Sequence, residues 1–143
     1  MTTKIKDDNL HTSGTLPAWD GNALTNLPYD IGFTGGFDAS MVKEDLAVST
    51  YGETIMTRAG TFVGESGYID TAGTGAIVII DVEKNGATIY STKPQFAISA
   101  NALSSGTLSV TTFAEGDRIT FKVTQIGSSA AGQGVRFGIK AKV

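Results

Sequence analysis

The dipeptide Asn85-Gly86 stands between two β-rich runs, Ala76-Ile77-Val78-Ile79-Ile80-Asp81-Val82-Glu83-Lys84 and Ala87-Thr88-Ile89-Tyr90-Ser91. A two-residue type I′ turn needs positive φ at both central residues, and Asn-Gly adopts that geometry with least strain. The chain is therefore committed to an antiparallel hairpin at this point. The first run is apolar on both faces at its start, with Ile77 and Ile79 opposite Val78 and Ile80. Such a strand is expected to be central and covered on both sides. Because a lone thin sandwich cannot cover both faces, Ile77 and Ile79 are candidates for an inter-subunit contact.

From about Leu46 onward the pattern is one of short strands separated by turn signals, and no helical periodicity of useful length occurs. Ile119, Phe121 and Val123 alternate with Thr120, Lys122 and Thr124, while Val135, Phe137 and Ile139 oppose Arg136, Lys140 and Lys142. Both runs read as half-buried strands. A further strand is expected over residues 107–112, with Leu108, Val110 and Thr112 on one face, joined to the strand at Arg118 by the turn Ala114-Glu115-Gly116-Asp117. Weaker strand patterns cover residues 53–58, 61–69 and 94–99, and the small residues of Gly127 to Gly134 predict a mobile loop. About eight strands suit an all-β, jelly-roll-like antiparallel β-sandwich. A chain of 143 residues can bury the core of one such domain, and the absence of cysteine leaves packing or assembly to stabilise it.

Ahead of this body, taken as residues 46–143, lies a segment of different character, an extended N-terminal arm over residues 1–45. Pro17 and Pro28 bias the run from Ser13 to Pro28 toward extended backbone. Leu16, Trp19, Leu24 and Leu27 are too many large apolar groups for a solvated linker, since each gains only by finding a partner. With Pro17, Pro28 and Tyr29 they form the candidate assembly interface of the arm. Residues 1–45 hold seven acids against three bases, whereas residues 46–143 hold seven against eight. An acidic arm can be solvated or can set its register on a basic surface of a larger assembly.

Several function classes find no support in the residues. The net charge is −3 and no basic cluster occurs, so nucleic acid is not an expected partner. The longest wholly apolar run, Ala76 to Ile80, is far short of the roughly 20 residues of a membrane span, and the N-terminus has no signal-peptide core. A soluble, unexported chain is the expectation. The single histidine, His11, lies in the arm, and no Gly-x-Ser-x-Gly elbow is present. Gly73-Thr74-Gly75 and Gly132-Gln133-Gly134 miss both the dinucleotide and the P-loop spacings. Asp81, Glu83, Asn85 and Gly86 imitate the opening of a calcium loop, but the twelfth position is Thr92 instead of glutamate. Scattered acids nominate no glycosidase pair. Catalytic residues, metal ligands and cofactors are all expected to be absent. Trp19, Tyr29, Phe33 and Phe37 could stack on a sugar or base, although contacts within an oligomer explain them as well.

The arm run Gly14-Thr15-Leu16-Pro17, then Asp20-Gly21 and Leu24-Thr25-Asn26-Leu27-Pro28, resembles collar and linker segments of tailed-phage fibre and head-decoration proteins. In the body, the runs from Asp70 to Ala76, Val82 to Gly86, Phe113 to Arg118 and Val123 to Gly127 are similar to a β-sandwich module of phage virion proteins. The resemblance implies a structural protein without catalytic residues, most simply a capsid cement or head-decoration protein on the capsid surface, made in the host cytoplasm. It further implies a homotrimer that contacts the major capsid protein or another virion protein. Fibre proteins usually carry more chain ahead of the collar, which favours the decoration reading. The alternatives are a fibre or receptor-binding tip, touching a host-surface glycan through Ala100 to Gly106 and Gly127 to Gly134, and a carbohydrate-binding module. Aromatic exposure distinguishes the last.

Overall fold

The computed structural model describes residues 26–143, which form an antiparallel β-sandwich with no helix among them. The strands are β1 (Ile31–Gly35), β2 (Ser49–Ile55), β3 (Gly60–Thr71), β4 (Val78–Lys84), β5 (Ala87–Thr88), β6 (Tyr90–Thr92), β7 (Gln95–Phe96), β8 (Leu103–Ser104), β9 (Thr107–Leu108), β10 (Thr112–Phe113), β11 (Arg118–Gln125) and β12 (Gln133–Lys142). The first sheet has the order β1-β12-β3-β10 and the second β2-β11-β4-β7-β8, with β5 paired to β4. Strands far apart in sequence are thus neighbours: β1 pairs with β12, β2 with β11, β3 with β10 and β4 with β7. The pairs are nested, with the first and last strands of the chain together and the inner ones within them.

The Asn85-Gly86 turn is as expected, with φ of 53° and 87°. It interlocks with the Ala114 to Asp117 turn. Asn85 donates its side-chain amide to Asp117 at 2.7 Å, and its side-chain oxygen accepts from the Arg118 amide at 2.9 Å. β4 lies between β11 and β7, so the strand that is apolar at its start is central.

The core is made where the two sheets face each other. Val78, Ile80 and Val82 of β4, Ile119, Phe121 and Val123 of β11, and Val135, Phe137 and Ile139 of β12 are all buried. Phe121 stacks on Phe33 of β1 at 5.2 Å and on Phe137 of β12 at 5.4 Å, tying the sheets together through aromatic faces. Two glycines make that closeness possible on the β1–β2 side. A Cβ on Gly52 would meet the Phe33 ring at 3.0 Å, and one on Gly35 would meet the Tyr51 ring at 3.0 Å. Each glycine is roofed by the aromatic ring of the opposite strand.

Four expectations are corrected. The arm does not extend to residue 45: residues 31–35 are β1, which pairs with β12 from Ile31↔Ile139 to Gly35↔Val135. Its alternation of Ile31 and Phe33 with Gly32 and Thr34 is a strand pattern disguised by glycine. The run 107–112 is not one strand either. It breaks into β9, which pairs with β6, and β10, which pairs with β3, because Ser109 and Val110 turn their amides to the Ile89 carbonyl. The strand pattern over 94–99 shrinks to Gln95–Phe96. The small-residue loop from Gly127 is pinned, with Ser129 donating to the Thr74 carbonyl, Thr74 to the Ala130 carbonyl and Leu46 to the Gly132 carbonyl.

Candidate functional site

Leu16, Pro17, Trp19 and Leu24 lie outside the described residues. The last three interface candidates are held by the body itself. Leu27 and Val143 exchange amide hydrogen bonds at 2.9 and 3.0 Å, Pro28 bridges Lys142, and the Tyr29 amide donates to the Ala141 carbonyl at 2.8 Å. The Tyr29 hydroxyl also lies 2.8 Å from the Thr57 hydroxyl. Leu27 to Tyr29 therefore continue the line of β1 along β12, where Leu27 stays 38% exposed and Tyr29 packs partly on the core.

Ile77 and Ile79 are half-buried on the outer side of the second sheet. Their carbonyls accept from the Gln125 and Thr124 side chains. Apart from the exposed Ile55, β2, β11 and β4 carry charged and polar pairs on that side. Lys93 meets Asp81 at 2.7 Å, Lys122 meets Glu83 at 2.7 Å, and Arg118 and Thr120 both reach Glu53. Buried Asp81 also accepts from the Thr88 hydroxyl. Cross-strand pairs of this kind lock register and compensate one another.

Two other polar groups are structural in placement. The buried Glu65 carboxylate accepts from the Gly106 amide at 2.6 Å and from the Tyr90 hydroxyl, and burial, followed by the Glu65 charge, pushes the Tyr90 phenol above its ordinary pKa. The half-buried Asp117 carboxyl is held below the usual range, first by the Ala114 amide and then by Asn85. Among the described residues no three His, Asp or Glu side chains converge as metal donors, and no helix is long and apolar enough to cross a membrane.

The concave feature of interest lies on the outer side of the first sheet. Register places Thr34, Arg136 and Tyr68 in one row across β1, β12 and β3, and Gly32, Gly138 and Ser66 in the next. The inward residues between these rows, Phe33 and Phe137, fill the core, so the rows face out. Without side chains on Gly32 and Gly138 the second row is a trough, part of a groove of about 510 Å³. Tyr68 is 51% exposed on its wall. The Arg136 guanidinium donates to Asp70 at 2.6 Å and lies 4.8 Å over the Phe37 ring, which fixes its plane. Thr34 and Ser66 line the groove with their hydroxyl-bearing side chains on its outer side.

Of the aromatic residues considered for stacking, Trp19 lies outside the described residues, Phe33 is half-buried against the core and stacked on Phe121, Phe37 supports Arg136, and Tyr29 is held at the β12 edge. Among the described residues the exposed ring is Tyr68, which the sequence pattern places in a strand without marking it. Its neighbours across the sheet are fixed by register, and register follows from pairings more than 60 residues apart. Gly138, inside an otherwise alternating β12, was the visible signal. Comparison with protein-family models, with curated proteins and with solved structures finds no match to this chain.

Proposed function

We propose that this chain is a structural protein of a tailed-phage virion, a capsid cement or head-decoration protein whose sandwich body sits on the shell and whose N-terminal arm ties it there. The observation carrying this reading is the anchorage of the arm. Leu27 to Tyr29 are zipped to the end of β12 by three backbone hydrogen bonds, so a load on residues 1–26 passes into the central pairing of the first sheet. The apolar residues Leu16, Trp19 and Leu24 precede that anchor, while the buried apolar core of the described residues runs from Leu46 to Ala141. Binding that requires the assembled shell stabilises the shell by mass action. A homotrimer, with the major capsid protein as partner, completes the proposal.

Removal of residues 1–25, which keeps the Leu27–Val143 pairing, should leave a folded sandwich by circular dichroism and abolish co-sedimentation with shells lacking the protein. Trp19→Ala with Leu24→Ala tests the same tether, at about 2–4 kcal/mol for each buried hot spot. Light scattering should give a trimeric mass. Truncated protein that binds shells as tightly as the intact chain would remove the tether, and a monomeric mass at high micromolar concentration would remove the trimer.

A further inference from the structure

The glycines of the outer trough are unexplained by the fold. Gly32 and Gly138 are register partners in the middle of paired strands, and neither has a positive φ. A Cβ built on Gly32 meets nothing within 4 Å, and one on Gly138 meets only the Ser66 hydroxyl at 3.8 Å. Both positions could carry any strand-forming side chain. Glycine there weakens the sheet, since it adds chain entropy and packs nothing, and its usual reason in a strand is a bulge, a bend or the close approach of a ligand. The one shift in the β12–β3 register falls between Lys140 and Ala141, away from Gly138, and β1 pairs with β12 without interruption. Close approach is what remains.

We propose that this groove binds a neutral glycan, with one pyranose ring seated on the glycine floor against Tyr68. Three properties select that ligand class. The exposed Tyr68 ring offers an apolar face with a polar tip, suited to the C–H face of a sugar. Around it stand donors and acceptors for ring hydroxyls: the fixed guanidinium of Arg136, its partner Asp70, and the hydroxyls of Thr34 and Ser66. Arg136 is already neutralised by Asp70, so the wall carries no uncompensated charge to reward an anionic ligand. The volume falls in the range of small-ligand sites, and a few convergent polar groups on an apolar floor are their usual construction. Strand addition is not available here, because β12 lies inside the sheet with its backbone groups paired on both sides. The site is independent of the virion assignment and would serve any body that must recognise a sugar-coated surface.

The test uses the intact chain on a printed array of neutral oligosaccharides ending in glucose, galactose or N-acetylglucosamine, with sialylated and sulfated glycans beside them. Titration with the terminal monosaccharide of the strongest neutral binder follows. Tyr68→Ala and Gly138→Val should each weaken binding by about tenfold or more. Gly138→Val should do so with its melting temperature unchanged or raised, because it puts a β-branched residue into open space on a strand. That combination separates a filled ligand site from a damaged fold. Four results overturn the proposal: no binding on the array, preference for the acidic glycans, undiminished binding by both variants, or a fall in oligomeric mass on Gly138→Val, which would make the trough a contact between copies.

Discussion

Replacing Phe121 tests whether the sandwich is held by its aromatic stack or by apolar burial in general. Phe121 is fully buried, stacked 7° from parallel on Phe33 and 30° from parallel on Phe137, with Tyr51 tilted at 6.5 Å. Phe121→Ala removes a whole buried ring and should cost about 3–5 kcal/mol, a large part of the roughly 5–15 kcal/mol that holds a domain folded. Phe121→Leu keeps most of the volume but loses two aromatic pairs of about 0.5–1.5 kcal/mol each, so about 1–3 kcal/mol is expected. The discriminating measurement is a double-mutant cycle of Phe33→Leu and Phe121→Leu by urea unfolding. Gly52 faces the Phe33 ring with no side chain of its own, and the Phe33 ring stacks on Phe121 at 5.2 Å. A coupling of about 0.5–1.5 kcal/mol is expected at unchanged m-value. If the two single changes add to within about 0.3–0.5 kcal/mol, the rings do not interact energetically and the stack is only filler.

At the hairpin, Gly86→Val places a β-branched residue at φ 87° with no atom in its way, so its penalty of about 1–3 kcal/mol is backbone strain alone and should appear in the melting temperature. Asp117 is held in its ionised form by the Ala114 amide and Asn85, so its contribution is complete above the ordinary aspartate pKa of about 3.9 and is lost as pH falls through its lower folded value. The stability difference between the native chain and Asp117→Asn should shrink over that acid range, and a pH-independent difference would refute the linkage. Tyr90 works in the opposite direction: its phenol ionises on unfolding above about pH 10 but not in the fold, so the native chain should lose stability there relative to Tyr90→Phe.

What the sequence makes legible follows from how local the determining physics is. The β4–β5 hairpin depends on two residues with positive φ, and the facing of β11 and β12 depends on period-two alternation within eight to ten residues. Those features were readable. β1 escaped because glycine occupies one of its outward positions and one of its inward ones, which leaves only Ile31 and Phe33 to mark the alternation. The break of residues 107–112 into two strands is set by the distant Ile89 carbonyl, which takes amides from both Ser109 and Val110. The groove was hidden for the same reason. Thr34, Arg136 and Tyr68 are neighbours only because β12 sits between β1 and β3, an arrangement that no window of the chain contains.

The two outer faces of the sandwich are thereby suited to different work. On the second sheet, Lys93, Lys122 and Arg118 are each matched to a carboxylate on a neighbouring strand or loop, so a partner would have to displace contacts already made. The exposed Arg118–Glu53 pair adds little stability, and together the three pairs leave few charges to attract a partner. The first sheet instead carries both the anchored arm junction and the glycine trough, and both use β12. Gly138 and the Val143 end of that strand are five residues apart, about 17 Å at strand spacing. On the proposed virion reading, a copy tethered through Leu27 with that face laid on a shell would hide the proposed glycan groove, so glycan binding by shell-bound protein would show that the sandwich meets the shell by another surface.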